Sequence, residues 1–180
     1  MTVLITPSSV VAFWKAAGPD KWYAKDDAFD REFREAGRDL HWAASRRERD
    51  DWMDTAEGAL ALMIVLDQYP RNSFRGSGHQ FATDALALMF ARQAWDRGWP
   101  QTFAPDLRQF FVTPFEHSED LGDQDAALPL CADMPEVLKF AHIHRDIIVR
   151  FGRFPHRNRA LGRETTAEEQ AFLDGGGFGG

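Results

Sequence analysis

Leu66-Asp67-Gln68-Tyr69-Pro70-Arg71-Asn72 closes an apolar helical run that Thr55 is placed to cap. Between them stands Ala59-Leu60-Ala61-Leu62-Met63-Ile64-Val65, apolar almost all round, which marks a central helix. Asp67 follows Leu60, Met63 and Ile64 at spacings of seven, four and three, so its carboxylate shares their face. A buried charge without a partner is costly, and the planar fork of arginine fits a carboxylate best. Two readings follow. Asp67 and an arginine clamp the core, or Asp67 orients an arginine toward a ligand.

Working outward, helix signals recur and strand alternation is almost absent. Thr6-Pro7 is a cap followed by a first helical residue, and Gly18-Pro19 is a stop. A second helix begins near Asp26 and passes Phe29, Phe33 and Leu40. The central helix should end at Pro70. Thr83-Asp84 opens another, which Gly98 closes, and Pro105 begins a short one. Thr113-Pro114-Phe115-Glu116 has the form of a capping box, and Thr165-Thr166-Ala167-Glu168 starts the last helix. Pro135 leads a long helix to Phe151, with Gly152 as its stop. The expected fold is all-α, about eight helices in antiparallel hairpins, forming one domain over residues 1–174. Residues 175–180 read as a flexible glycine-rich tail.

The chain of 180 residues is 44% apolar and 13% aromatic, which is enough for a well-filled core without staples. A net charge of −7 argues against nucleic acid as a partner. Charge is uneven, however: Arg145 to Arg163 holds six arginines and a single acid, Asp146. Cys131 is the only cysteine, so there is neither a disulfide framework nor a Cys-x-x-Cys metal site. No apolar run is long enough to span a membrane, and a cytoplasmic setting is expected.

Three polar segments carry the chemistry-bearing residues. On the helix from Pro135, Val137, Ala141, His144, Ile148 and Phe151 share a face, so His144 points inward. His142 points away, and the two do not form a metal pair. Glu116-His117-Ser118-Glu119-Asp120 is the richest inventory. If helical, it sets Glu116 and Asp120 at i, i+4 and gathers His117, Asp120 and Gln124 on one face. A capping box explains Glu116 without any function. Neither Glu-x-x-His on two helices nor His-Glu-x-x-His is present, so no metal and no cofactor are expected. Arg153-Phe154-Pro155-His156-Arg157-Asn158 follows a helix end, where cations suit the dipole and Arg157 should be exposed, and can also cradle an anion. It echoes Gln68-Tyr69-Pro70-Arg71-Asn72, an aromatic-Pro pair followed by Arg and Asn.

Together these segments resemble an uncharacterised bacterial family, the domain of unknown function numbered 924. The likeness rests on Leu66 to Asn72 with Phe74-Arg75-Gly76, Phe81-Ala82-Thr83-Asp84, Pro114 to Asp120, and His144-Arg145-Asp146 through Gly162-Arg163. Trp14, Trp22 and Asp26 fit its N-terminal pattern. The resemblance implies a helical fold grouped with tetratricopeptide-like repeats, an α-α superhelix, and brings no activity with it.

The favoured functional expectation is recognition of a small anionic ligand or acidic peptide end. Arg71, Arg145, Arg153 and Arg157 would contact the anion, with Asn72, His156 and Asn158 adding hydrogen bonds. Asp67 and Glu119 would orient the arginines. The alternatives are a hydrolase or lyase using His117 and His144 with Glu116 or Asp120, and a polar network that only fixes helix packing. Asp67, Arg71, His117 and His144 are expected to converge, with no membrane involved.

Overall fold

Thr6 accepts a hydrogen bond from the Ser9 backbone, Ser9 answers from its side chain, and α1 (Pro7–Ala17) starts there. The computed structural model describes residues 3–179 and contains no strand among them, so the fold is all-α. The backbone gathers into two compact units, Met1–Arg75 with His79–Pro114, and Gly76–Gly78 with Phe115–Gly180.

In the first unit follow α2 (Pro19–Trp22), α3 (Asp27–Ser45), α4 (Ala56–Met63), α5 (Tyr69–Ser73), α6 (Asp84–Asp96) and α7 (Pro105–Arg108). Asp26 caps α3 through the amides of Ala28 and Phe29, and Thr55 caps α4 through that of Gly58. Along α3 the buried residues Phe29, Asp30, Phe33, Gly37, Leu40, His41 and Ala44 fall at helical spacing. Helix α1 packs on α4, and α3 on α5. Their core is built of rings: Trp14 stacks on Trp22 at 6.0 Å and meets Phe110 edge-on at 5.4 Å.

Pro70 does not end the central helix. Ile64–Gln68 is a π turn between α4 and α5, and the helix continues to Ser73. The Tyr69 amide bonds back to the Ile64 carbonyl, one residue further than in an α-helix. Pro70 has no N–H to give. The Val65 carbonyl is thereby left over, and His41 Nδ1 takes it at 3.0 Å. Thr83 Oγ1 donates to the Leu66 carbonyl at 2.5 Å and Arg71 Nη1 to that of Asp67 at 2.7 Å. Side chains from three segments therefore cap three successive carbonyls, which removes the usual penalty of a mid-helix proline.

Helix α8 (Thr113–Glu116) begins in the first unit and ends in the second. The second unit continues with α9 (Leu121–Leu130), α10 (Pro135–Phe151) and α11 (Ala167–Asp174). α9 and α10 pack together across the short 131–134 connection. Gly152, left-handed at φ 67°, ends α10 where the sequence placed its stop. Thr166 and Glu169 form the capping box of α11, one residue later than expected. Ile147, Ile148 and Phe154 form this unit's apolar centre, with Ile143, Phe151 and Phe172 packed against it.

Candidate functional site: a buried histidine–glutamate pair

His144 lies on the inner face of α10, as its spacing required, while His142 is exposed. Its Nδ1 meets Glu116 Oε2 at 3.1 Å, and both side chains are buried. A carboxylate oxygen accepts, so Nδ1 carries the hydrogen, and in the neutral form of such a ring Nε2 is the basic nitrogen. That Nε2 makes no hydrogen bond among the described residues. Glu116 Oε1 is buried without a donor among the described residues. The His117 ring stands 6.3 Å from His144, centroid to centroid.

The capping box expected at Thr113 and Glu116 does not form. Thr113 Oγ1 donates to Asp67 Oδ2 at 3.1 Å and to the Phe110 carbonyl, while Glu116 turns to His144. Tertiary partners outcompete the local ones. The helical pairing of Glu116 with Asp120 is likewise absent, because α8 stops at Glu116. Asp120 is the N-cap of α9, accepting from the amides of Gly122 and Asp123, and is exposed. Gln124 Nε2 closes the intervening turn on the carbonyls of Phe115, Glu116 and Ser118. Cys131 is buried near Glu116; burial first, and that charge second, push its thiol up to about 11. It is a poor nucleophile at neutral pH. Among the described residues no group of three or more His, Cys, Asp or Glu is placed to hold a metal ion.

The arginine-rich stretch is held by acids. Arg153 pairs with Glu169 at 2.6 and 2.9 Å, and Asn158 Nδ2 donates to the same carboxylate at 3.2 Å. Arg163 pairs with Glu119 at 2.7 and 3.0 Å, and the Phe154 amide adds a third donor. Burial works against the Glu119 charge, but these donors outweigh it and lower its pKa. Arg145 meets Asp125 at 2.6 Å. Arg157, expected to be exposed beyond the helix end, is buried with its guanidinium 4.4 Å from the Phe154 ring centre. Cation–π packing draws it inward. His156 is half-buried and 5.6 Å from the Phe154 ring.

The hydrogen bond from Arg153 holds the Glu169 carboxyl down at about 2, below its ordinary 4.5. Its stabilisation is complete above pH 4.5 and is lost as pH falls from there toward 2. Glu169→Gln should flatten the acid limb of denaturant midpoint against pH in that window. An unchanged limb would mean that the ion pair does not persist in solution.

The chain as a whole has counterparts among known proteins. A family model described as a bacterial protein of unknown function, DUF924, matches residues 10–177. The chain belongs to the DUF924 family. A solved structure of a protein of unknown function from Agrobacterium tumefaciens is 52% identical with a TM-score of 0.92. The match covers 94% of this chain and 97% of that one. No curated protein matches.

In this DUF924 chain the first unit has its own polar network. Asp67 is fully buried and receives Gln68 Nε2 at 2.6 Å, Thr113 Oγ1, and Arg71 at 3.1 Å. Arg71 also grips Asp84 through both oxygens at 2.8 and 2.9 Å. Asp30 receives Asn72 Nδ2 and Arg75 Nε, each at 2.7 Å. The sequence echo thus has a physical content: Asn72 and Asn158 each donate to a buried carboxylate that an arginine also holds. Asp67 and Arg71 belong to the first unit, and Glu116, His117 and His144 to the second. Sequence reasoning missed Asp30, His41, Arg163 and Glu169. Asp30 and His41 lie on the buried stripe of α3, the signal that found His144.

Proposed function

We propose that the protein is an acid–base catalyst of hydrolase or lyase type, with His144 transferring the proton and Glu116 orienting its ring. One observation carries the reading: a buried imidazole whose Nδ1 is held by a buried carboxylate while Nε2 is unengaged. A carboxylate in that position fixes the tautomer and steadies the imidazolium that forms on proton uptake. His117 supplies a second imidazole beside it.

The anion-binding reading draws less support, because Arg71, Arg145 and Arg153 already hold carboxylates. An incoming anion would have to displace them. In the first unit the carbonyls and carboxylates around the π turn have protein donors, which favours a structural role for that network.

A panel of ester, amide, phosphoester and eliminating substrates tests the proposal. His144→Asn and Glu116→Gln should each lower the wild-type turnover, the first by about 10²–10⁴-fold, with melting behaviour retained. Turnover that survives His144→Asn, or a wild-type protein inert toward every class, would count against it.

A further inference from the structure

The geometry points to a socket for an aromatic ring against His144, filled in this structure by the chain's own Phe178. This deepens the acid–base reading by giving the same site a ligand class, and rests on that reading for its use. The Phe178 ring meets His144 edge-on, at 4.6 Å and 86°, and His156 at 5.6 Å and 73°. It also packs on the apolar centre of Ile147, Ile148 and Phe154. Edge-to-face contact suits an aromatic ring, since its positive rim meets the π face of the neighbour.

The way Phe178 is held distinguishes it from a core residue. Phe154 and Ile148 come off tightly packed backbone and are nearly inaccessible. Phe178 is half-buried and hangs on three glycines beyond α11. Gly175, Gly176 and Gly177 return the chain by bonding to the carbonyls of Ala171, Leu173 and Phe172. Gly176 sits at φ +78°, and a Cβ on Gly177 would lie 2.6 Å from both the Phe172 ring and its carbonyl oxygen. Only glycine makes this path, and glycine loses the most freedom on being ordered. The arm is thus sterically built to deliver one ring to the His144 imidazole, yet weakly fixed there. A small aromatic molecule that seats in its place would bring its polar substituent beside the His144 ring.

The probe is N-acetyl-phenylalaninamide, a neutral mimic of Phe178, with N-acetyl-leucinamide as the aliphatic control. Binding is followed through the His144 and His156 ring resonances. Phe178→Ala should bind the aromatic probe on the order of tenfold more tightly than wild type, because the tethered ring no longer competes. The leucine control should not bind. Gly177→Ala keeps Phe178 but drives the arm off Phe172, and should give the same gain if Phe178→Ala fails to fold. Equal binding to wild type and both variants, no binding to any, or shifts away from His144 would overturn the socket. Probe binding together with undiminished turnover in His144→Asn removes the acid–base reading alone. Lost turnover without probe binding removes the socket alone.

Discussion

Arg71→Ala should lower the unfolding free energy of the first unit by about 3–5 kcal/mol, the usual cost of stripping one partner from a buried ion pair. Asp67 is fully buried at the end of the apolar run of α4, and Arg71 is its guanidinium. Burial opposes the charge on Arg71, yet Asp67 and Asp84 together raise its pKa. The change also withdraws a donor from the Asp67 carbonyl inside the π turn. Urea denaturation reads the loss. Asp67→Leu combined with Arg71→Met should recover part of it, because apolar side chains of similar size need no desolvation. A loss below about 1 kcal/mol, the range of an exposed ion pair, would show that the network is hydrated in solution. Stabilisation of wild type by phosphates or carboxylates, abolished in Arg71→Ala, would instead restore the anion reading.

Lowering the pH from 7 to 4 should cost the same unit about 3 kcal/mol through His41. Burial pushes its pKa down to about 4, from an ordinary 6.5, and the neighbouring His79 adds to the fall. The unfolded chain therefore takes up the proton first. The contribution is complete above pH 6.5 and is lost as pH falls from 6.5 to 4. The geometry gives the reason. The Val65 carbonyl can only accept, so His41 Nδ1 carries the hydrogen and Nε2 must accept from His79 Nε2, 2.9 Å away. A proton on His41 would set two donors face to face until His79 moved its own hydrogen to Nδ1. His79, half-buried, is lowered by burial and adds in the same direction. Denaturant midpoints across this range, for wild type and His41→Gln, test it. The variant should lose most of the slope whatever its baseline, and a wild-type profile flat between pH 6.5 and 4 would refute the argument.

The features read correctly from sequence are those whose causes are local. Thr6, Asp26 and Thr55 cap helices with their own neighbours, and Gly152 ends α10 by its own φ. His144 was found because helical spacing alone decides which face it occupies. Misreadings arose where a distant group competed with a local one. Thr113 and Glu116 fit a capping box, yet Asp67 and His144 claim them. Arg157 looked exposed because the ring that attracts it lies outside any helical pattern. Arg163 gave no signal, since its partner is 44 residues away, and Glu169 gave only its capping-box spacing from Thr166, its ion-pair partner lying 16 residues away. Phe178 sat in a glycine run that composition reads as loose chain.

The π turn sets the phase of the central helix. Each residue advances an α-helix by about 100°, so one extra residue in a single turn rotates all that follows by that amount. Winding Ile64–Gln68 as regular α-helix with all five residues kept would swing Tyr69–Ser73 around the axis. Tyr69 would leave His41, which it stacks against at 4.9 Å, and Asn72 would leave Asp30. Such a wide turn is what a one-residue insertion into an ordinary helix leaves behind. Here Val65, Leu66 and Asp67 offer their carbonyls to His41, Thr83 and Arg71, so the surplus residue became the joint on which α3 and the segment before α6 are aligned.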